Sequence, residues 1–135
     1  MGDKQQEKEF DFWNDHSLEF LEMAMKRDYQ ETVADCDGYG KSVRPGCGDT
    51  IEFFLMQKDG RIDTVSYDLN GCIFSHACAN TVIKLAKGAS VEKAMAIKAT
   101  DIVDYLKTLP ESETHCADHA LKAFHQAVRQ MSGDR

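Results

Sequence analysis

At 135 residues the chain has the size of one domain, since a single hydrophobic core commonly serves about 100–150 residues. Apolar residues make up 42% and charged residues 29%, a globular mixture with no low-complexity tract and no repeat at a fixed period, so flexibility is expected only at the ends, about residues 1–9 and 132–135. The 23 acidic against 16 basic residues leave a formal charge of −7, which repels phosphate backbones and argues against nucleic acid as a partner.

In chain order, the pattern predicts a helix from Phe10 to about Arg27. Trp13, Phe20, Leu21, Ala24 and Met25 share its apolar stripe, while Asp15, Glu19, Glu22 and Lys26 do not. Residues 36–49 hold four glycines and a proline, a composition that favours turns over regular structure. The runs from Thr50 to Gln57 and from Arg61 to Leu69 are rich in β-formers and flank Lys58-Asp59-Gly60. Asp-Gly between two such runs predicts a hairpin. Ile62, Val65, Tyr67 and Leu69 alternate imperfectly with polar residues, as in a sheet with one covered and one wet face.

After Asn70-Gly71-Cys72 the sequence turns helical. One helix is expected near residues 75–87, ending at Gly88; a second begins at the cap residue Ser90; a third runs from Thr100 to just before Pro110. The last spans about Cys116 to Met131, with Ala117, Ala120, Leu121, Phe124, Ala127, Val128 and Met131 at helical spacing. Strands first and helices afterwards predict an α+β fold, a small antiparallel β-sheet with helices packed mainly on one face. The amino terminus is charged where a signal peptide needs an apolar core, and no apolar run nears the length that crosses a bilayer. A cytoplasmic protein without a membrane partner is expected.

Cysteines stand at 36, 47, 72, 78 and 116, an odd number in a chain expected to keep its thiols reduced, which favours metal binding or thiol chemistry over disulfides. Cys47 lies between two glycines just before a strand, Cys72 follows Gly71 between a strand and a helix, and Cys116 opens the last helix after His115. Element ends on one side of a sheet can converge, and thiolate is a soft ligand suited to zinc and iron-sulfur clusters. Asp49, two residues past Cys47, can turn a harder oxygen donor toward the same centre. The positive end of a helix dipole is expected to favour a Cys116 thiolate. There is no Cys-x-x-Cys, so spacing alone leaves open that these are small buried residues.

Taken in order, Cys47-Gly48-Asp49, Gly71-Cys72 at the end of a hairpin, Leu109-Pro110 and His115-Cys116 resemble the IscU/NifU amino-terminal family of iron-sulfur scaffold proteins, over about residues 36–131. The resemblance implies a scaffold and not an enzyme. On it a labile 2Fe-2S cluster is built from iron and from sulfur supplied by a cysteine desulfurase, then passed to acceptor apoproteins. It implies Cys47, Cys72 and Cys116 as thiolate ligands, Asp49 as the carboxylate that keeps the cluster labile, and His115 as an auxiliary or alternating ligand. Zinc is implied as an occupant of the isolated protein, and a monomer or weak homodimer is expected. Where the family's chaperone-recognition segment commonly reads Pro-Pro-Val-Lys, this chain has Pro-Glu-Ser-Glu, Pro110 to Glu113, which speaks against recognition by that dedicated chaperone. Other readings of the cysteines are a zinc-dependent sulfur-accepting transferase and a small domain with structural zinc.

For the remaining residues the expectations are plain. Cys78 is a buried helical thiol, and Cys36, between Asp35 and Asp37, is a loop thiol without a role. His119 is a solvated position despite its i, i+4 spacing from His115, and His16, His76 and His125 are surface residues. Trp13, Phe20, Phe53, Phe54 and Phe124 are core. Glu92, Lys93 and Lys98 lie on solvated helix faces.

Overall fold

The computed structural model describes residues 17–44 and 48–132. The expected flexible ends (apart from Ser132), the first part of the amino-terminal helix with Trp13, His16 and Cys47 lie outside them. Within them an antiparallel sheet in the order β1-β2-β3 is built from β1 (Gly38–Val43), β2 (Thr50–Lys58) and β3 (Arg61–Asn70). The helices are α1 (Leu18–Met25), α2 (Ile73–Ala86), α3 (Val91–Met95), α4 (Ala99–Leu106) and α5 (His115–Ser132), with a 3-10 turn at Glu111–Glu113 before α5. Helices α5 and α2 pack on the sheet, and the fold is the expected α+β arrangement.

The hairpin forms as the sequence predicts. Asp59 and Gly60 both have positive φ, 54° and 78°, the requirement of a two-residue type I′ turn, which only glycine and short polar residues meet cheaply. The imperfect alternation in β3 also has a cause. Met56 pairs with Thr64 and Gln57 with Ile62, so Asp63 is the extra residue of a bulge. That bulge lets Ile62 and Val65, three apart, both point into the core, where they are 0% and 3% exposed. The same face carries Ile51, Phe53, Leu55 and Tyr67, all buried, with Phe124 of α5 edge-on to Phe53 at 5.6 Å between ring centroids.

Strand β1 corrects the expectation that residues 36–49 are turns. Its sequence, Gly-Tyr-Gly-Lys-Ser-Val, has little strand propensity. Its glycines serve close approach instead: a Cβ on Gly38 would fall 2.8 Å from Met131 Cβ, and one on Gly40 would fall 2.7 Å from Ala127 N and closer still to the Ala123 carbonyl. The strand is flat enough for the α5 backbone to lie directly on it. Gln130 and Gln126 then accept hydrogen bonds from the backbone N–H groups of Tyr39 and Lys41, at 2.7 and 2.8 Å.

In α1, Ser17 caps the helix by accepting from the Phe20 N–H at 3.0 Å, and its hydroxyl donates to the Leu106 carbonyl at 2.6 Å. Phe20, Met23 and Ala24 face the core. Met25 is 54% exposed, against the expected stripe, because it lies a helical step of about 100° away from Ala24. The helix stops at Met25, short of the expected Arg27, where the Asn80 side-chain amide donates to the Met23 and Lys26 carbonyls at 2.9 and 3.0 Å.

Asn80 belongs to α2, which is buried on nearly every side. His76 sits there at 9% exposure with Nδ1 2.9 Å from the Tyr67 hydroxyl. This corrects the surface expectation for His76. Burial, and after it the charge of Arg27, pushes its pKa down to about 4. His125 is likewise half-buried, with Nε2 out of solvent. Cys78 is fully buried in the same helix, and burial raises its pKa well above the ordinary thiol value.

Candidate functional site

The registry between β1 and α5 places the site. Gly38 lies against Ala127 and Gly40 against Ala123, the Ser42 hydroxyl is 2.9 Å from His119 Nδ1, and the Arg44 guanidinium donates to His115 Nε2 at 2.7 Å. Every second strand residue answers every fourth helix residue, because two strand steps of about 3.3 Å nearly match four helix steps of about 1.5 Å. The match carries the loop that follows β1 to the amino-terminal end of α5. There Arg44 N–H donates to the Asp49 carbonyl at 2.8 Å and Gly48 N–H to the Arg44 carbonyl at 3.1 Å, so Arg44 and the Gly48-Asp49 backbone are held together.

Cys72 and Cys116 meet at this end. Cys72 is the N-cap of α2 and solvent-exposed, and Cys116 is the second residue of α5 and 4% exposed. The Ser75 hydroxyl stands between them, 3.9 Å from each sulfur. The 3-10 turn, closed by Glu113 N–H donating to the Pro110 carbonyl at 2.8 Å, swings Glu113 onto the pair. The Cys116 thiol donates to Glu113 Oε1 at 3.8 Å. One donor atom from each of Cys72, Glu113 and Cys116 lies within 4.8 Å of the others. His115 Nε2 borders the group, 3.6 Å from Cys116 Sγ and 3.9 Å from Glu113 Oε1.

The electrostatics run against the expectation of a dipole-stabilised thiolate. Burial is the largest influence on Cys116, the Ser75 hydrogen bond opposes it, and the neighbouring Cys72 and Glu113 reinforce it, raising the pKa to about 12. Desolvation outweighs the helix end. The thiol therefore keeps its proton unless a cation arrives, and a metal deprotonates a coordinating thiol outright.

Of the residues singled out in the sequence, the structure brings Cys72, Cys116 and His115 together. Asp49 is not among the donors within 4.8 Å of both sulfurs, although its charge acts on His119. His119 is half-buried and bonded to Ser42, not solvated as expected; its Nε2 is buried with no partner among the described residues, and burial lowers its pKa. Glu113, Ser75 and Arg44 escaped sequence reasoning as parts of a site. An acid three residues before Cys116 and an arginine three before Cys47 were the signals available.

A small α+β domain that gathers two thiols and a carboxylate at the ends of separate elements has a donor set able to hold a metal ion. The chain belongs to the NifU-like N terminal domain family, which it matches over residues 24–135. It is 36% identical over 99 residues to the iron-sulfur cluster assembly scaffold protein IscU of Escherichia coli K12, covering 73% of this chain and 77% of that protein. Two scaffold proteins of Archaeoglobus fulgidus are 30% identical over 96 residues, 71% of this chain; the chain spans 63% of their length. Among solved structures, a scaffold protein described for the SUF system of Fervidobacterium islandicum AW-1 shares the fold with a TM-score of 0.69 at 14% identity, over 87% of this chain and 99% of that one. A NifU-like amino-terminal domain from Brucella abortus does so with a TM-score of 0.66 at 16% identity, over 85% and 92%.

Proposed function

We propose that this chain is an iron-sulfur cluster assembly scaffold that receives iron and desulfurase-derived sulfur, holds a labile 2Fe-2S cluster, and passes it to acceptor proteins. The observation that carries the reading is the convergence of Cys72 and Cys116, from two different helices, at a solvent-facing end where Arg44 bonds both to His115 of α5 and to the Gly48-Asp49 backbone. Relatives at 30–36% identity that are named as scaffolds support it. In this reading Cys47, Cys72 and Cys116 supply thiolates, Asp49 supplies the weak oxygen ligand, and His115 is the alternating ligand. The protein breaks no bond of its own; the desulfurase releases the sulfur.

The chemistry follows from the two sulfurs' environments. Cys72 is exposed and reachable by an incoming donor, whereas Cys116 is buried and proton-bearing until metal binds. An empty site is therefore poorly reactive at Cys116. A loaded one is anionic and matched to soft metal. A hard carboxylate in place of a fourth thiolate weakens retention, which a carrier needs.

The test is anaerobic reconstitution with ferrous iron and sulfide, followed by visible absorption and iron and sulfide analysis, for the parent and for Asp49→Ala. The parent is expected to form a short-lived cluster and Asp49→Ala a longer-lived one. Zinc retained throughout, with no cluster in either protein, would sink the scaffold reading and favour zinc-assisted sulfur transfer.

A further inference from the structure

We infer that the Glu113 carboxylate is a third ligand, with the Cys72 and Cys116 thiolates, in a mononuclear divalent-cation site that takes ferrous or zinc ion without help from the loop of residues 44–49. The sequence has an acid here where the resembling family's segment commonly ends in lysine, so the position carries the opposite charge.

The geometry fits one ion. With metal–sulfur bonds of about 2.3 Å and metal–oxygen bonds of about 2.1 Å, neighbouring donors of a tetrahedral site stand about 3.6–3.8 Å apart. Cys116 Sγ and Glu113 Oε1 are already 3.8 Å apart. No pair in the group exceeds 4.8 Å, so closing on an ion requires the donors to contract by about 1 Å at most. Two sulfurs and one oxygen suit zinc and ferrous iron rather than magnesium or calcium, which prefer all-oxygen shells.

The surroundings fit as well. Glu113 is held by the 3-10 turn and, among the described residues, by no ion pair with lysine or arginine, and its side chain is 29% exposed. Three anionic ligands on a dication leave one net negative charge, which the Arg44 guanidinium faces across His115. Binding sends two thiol protons to solvent. The exposed flank beside Cys72 leaves a fourth position for water. The ion so held is the loading state of the scaffold. That purpose rests on the scaffold reading, but the existence of the site does not.

The experiment uses the reduced, metal-free full chain, titrated anaerobically with cobalt(II) in the absence of sulfide. Thiolate-to-cobalt charge-transfer absorption reports binding, and a competing chelator fixes affinity. The parent, Cys47→Ser and Asp49→Ala are expected to bind one cobalt with near-equal affinity. Glu113→Gln is expected to bind at least about tenfold more weakly, since even outer-sphere partners of metal ligands cost 10–100-fold, while keeping the parent's circular dichroism and melting temperature. Parental affinity in Glu113→Gln removes the carboxylate from the site. Loss of cobalt in Cys47→Ser shows that the loop is required and overturns the inference. Cobalt binding with this pattern in a chain that builds no cluster leaves the site standing and removes only the scaffold reading.

Discussion

Replacing Gly40 by alanine tests whether β1 and α5 form the ruler that sets the site. The new Cβ would lie 2.7 Å from Ala127 N and closer to the Ala123 carbonyl. Both are backbone atoms in the middle of an 18-residue helix, so no rotamer change relieves the overlap. Reaching ordinary contact at 3.4 Å requires α5 to retreat from β1 by about 0.7 Å at Ala127, and by more at Ala123. Overpacking a close interface costs about 1–3 kcal/mol, and a backbone-on-backbone clash belongs at the top of that range. At about 4 °C per kcal/mol for a domain of this size, the melting temperature should fall by about 10 °C. Urea unfolding followed by circular dichroism measures the loss directly. Lys41→Ala, on the same strand with an exposed side chain, is the control and should stay within about 0.5 kcal/mol of the parent. Retreat of α5 also moves Cys116 relative to Cys72, so cobalt affinity should drop in Gly40→Ala under conditions where it is fully folded. A Gly40→Ala protein as stable as Lys41→Ala would refute the close-approach account of β1.

Stability should also depend on acid through His76. Its folded pKa of about 4 lies below the ordinary 6.5, so unfolding takes up a proton between those values; the stabilisation is complete above pH 6.5 and is lost as pH falls toward 4. At pH 5 the loss should be about 2 kcal/mol, seen as a lower urea midpoint that His76→Gln does not share; equal acid sensitivity in His76→Gln would assign the effect elsewhere. Cys78→Ala should cost about 1 kcal/mol as a small buried truncation yet leave iron and sulfide counts unchanged, whereas a lost cluster would make Cys78 a ligand. Arg44 donates to the nitrogen by which His115 would bind a cluster, so removing His115 should shorten the lifetime of the reconstituted cluster more in an Arg44→Ala background than in the parent. Equal losses in the two backgrounds would mean the two side chains do not compete for that nitrogen.

Local signals were legible where local chemistry decides. Asp59-Gly60 dictates its turn, Ser90 caps α3 by accepting from the Lys93 N–H at 3.2 Å, and the apolar stripe of α5 is written in its spacing. Strand β1 was illegible because its stability comes from a helix about 80 residues downstream that exploits the missing side chains of Gly38 and Gly40. The histidines were misplaced for the same kind of reason. Polarity places His76 on the surface, but it shares a helical stripe with Asn80 and Ile83 and finds its partner, Tyr67, in the sheet. Glu113 was read only as part of a segment lacking lysine, since nothing in the sequence says that a 3-10 turn will fold it back onto Cys116.

These long-range contacts also explain why the site can be both built and yielding. Cys116 is rooted in α5, which is clamped along β1 and buried against β2, so one sulfur is fixed by the core of the domain. Cys72 is the N-cap of α2 at an exposed turn, and Glu113 hangs from a single 3-10 turn. The donors thus grade from a rigid anchor to segments whose opening disrupts few contacts. Local opening free energies scale with what must be broken, so an ion can enter or a cluster leave by moving the outer donors while α5 stays in place. A scaffold with every ligand on rigid elements would hold its cargo too well to pass it on.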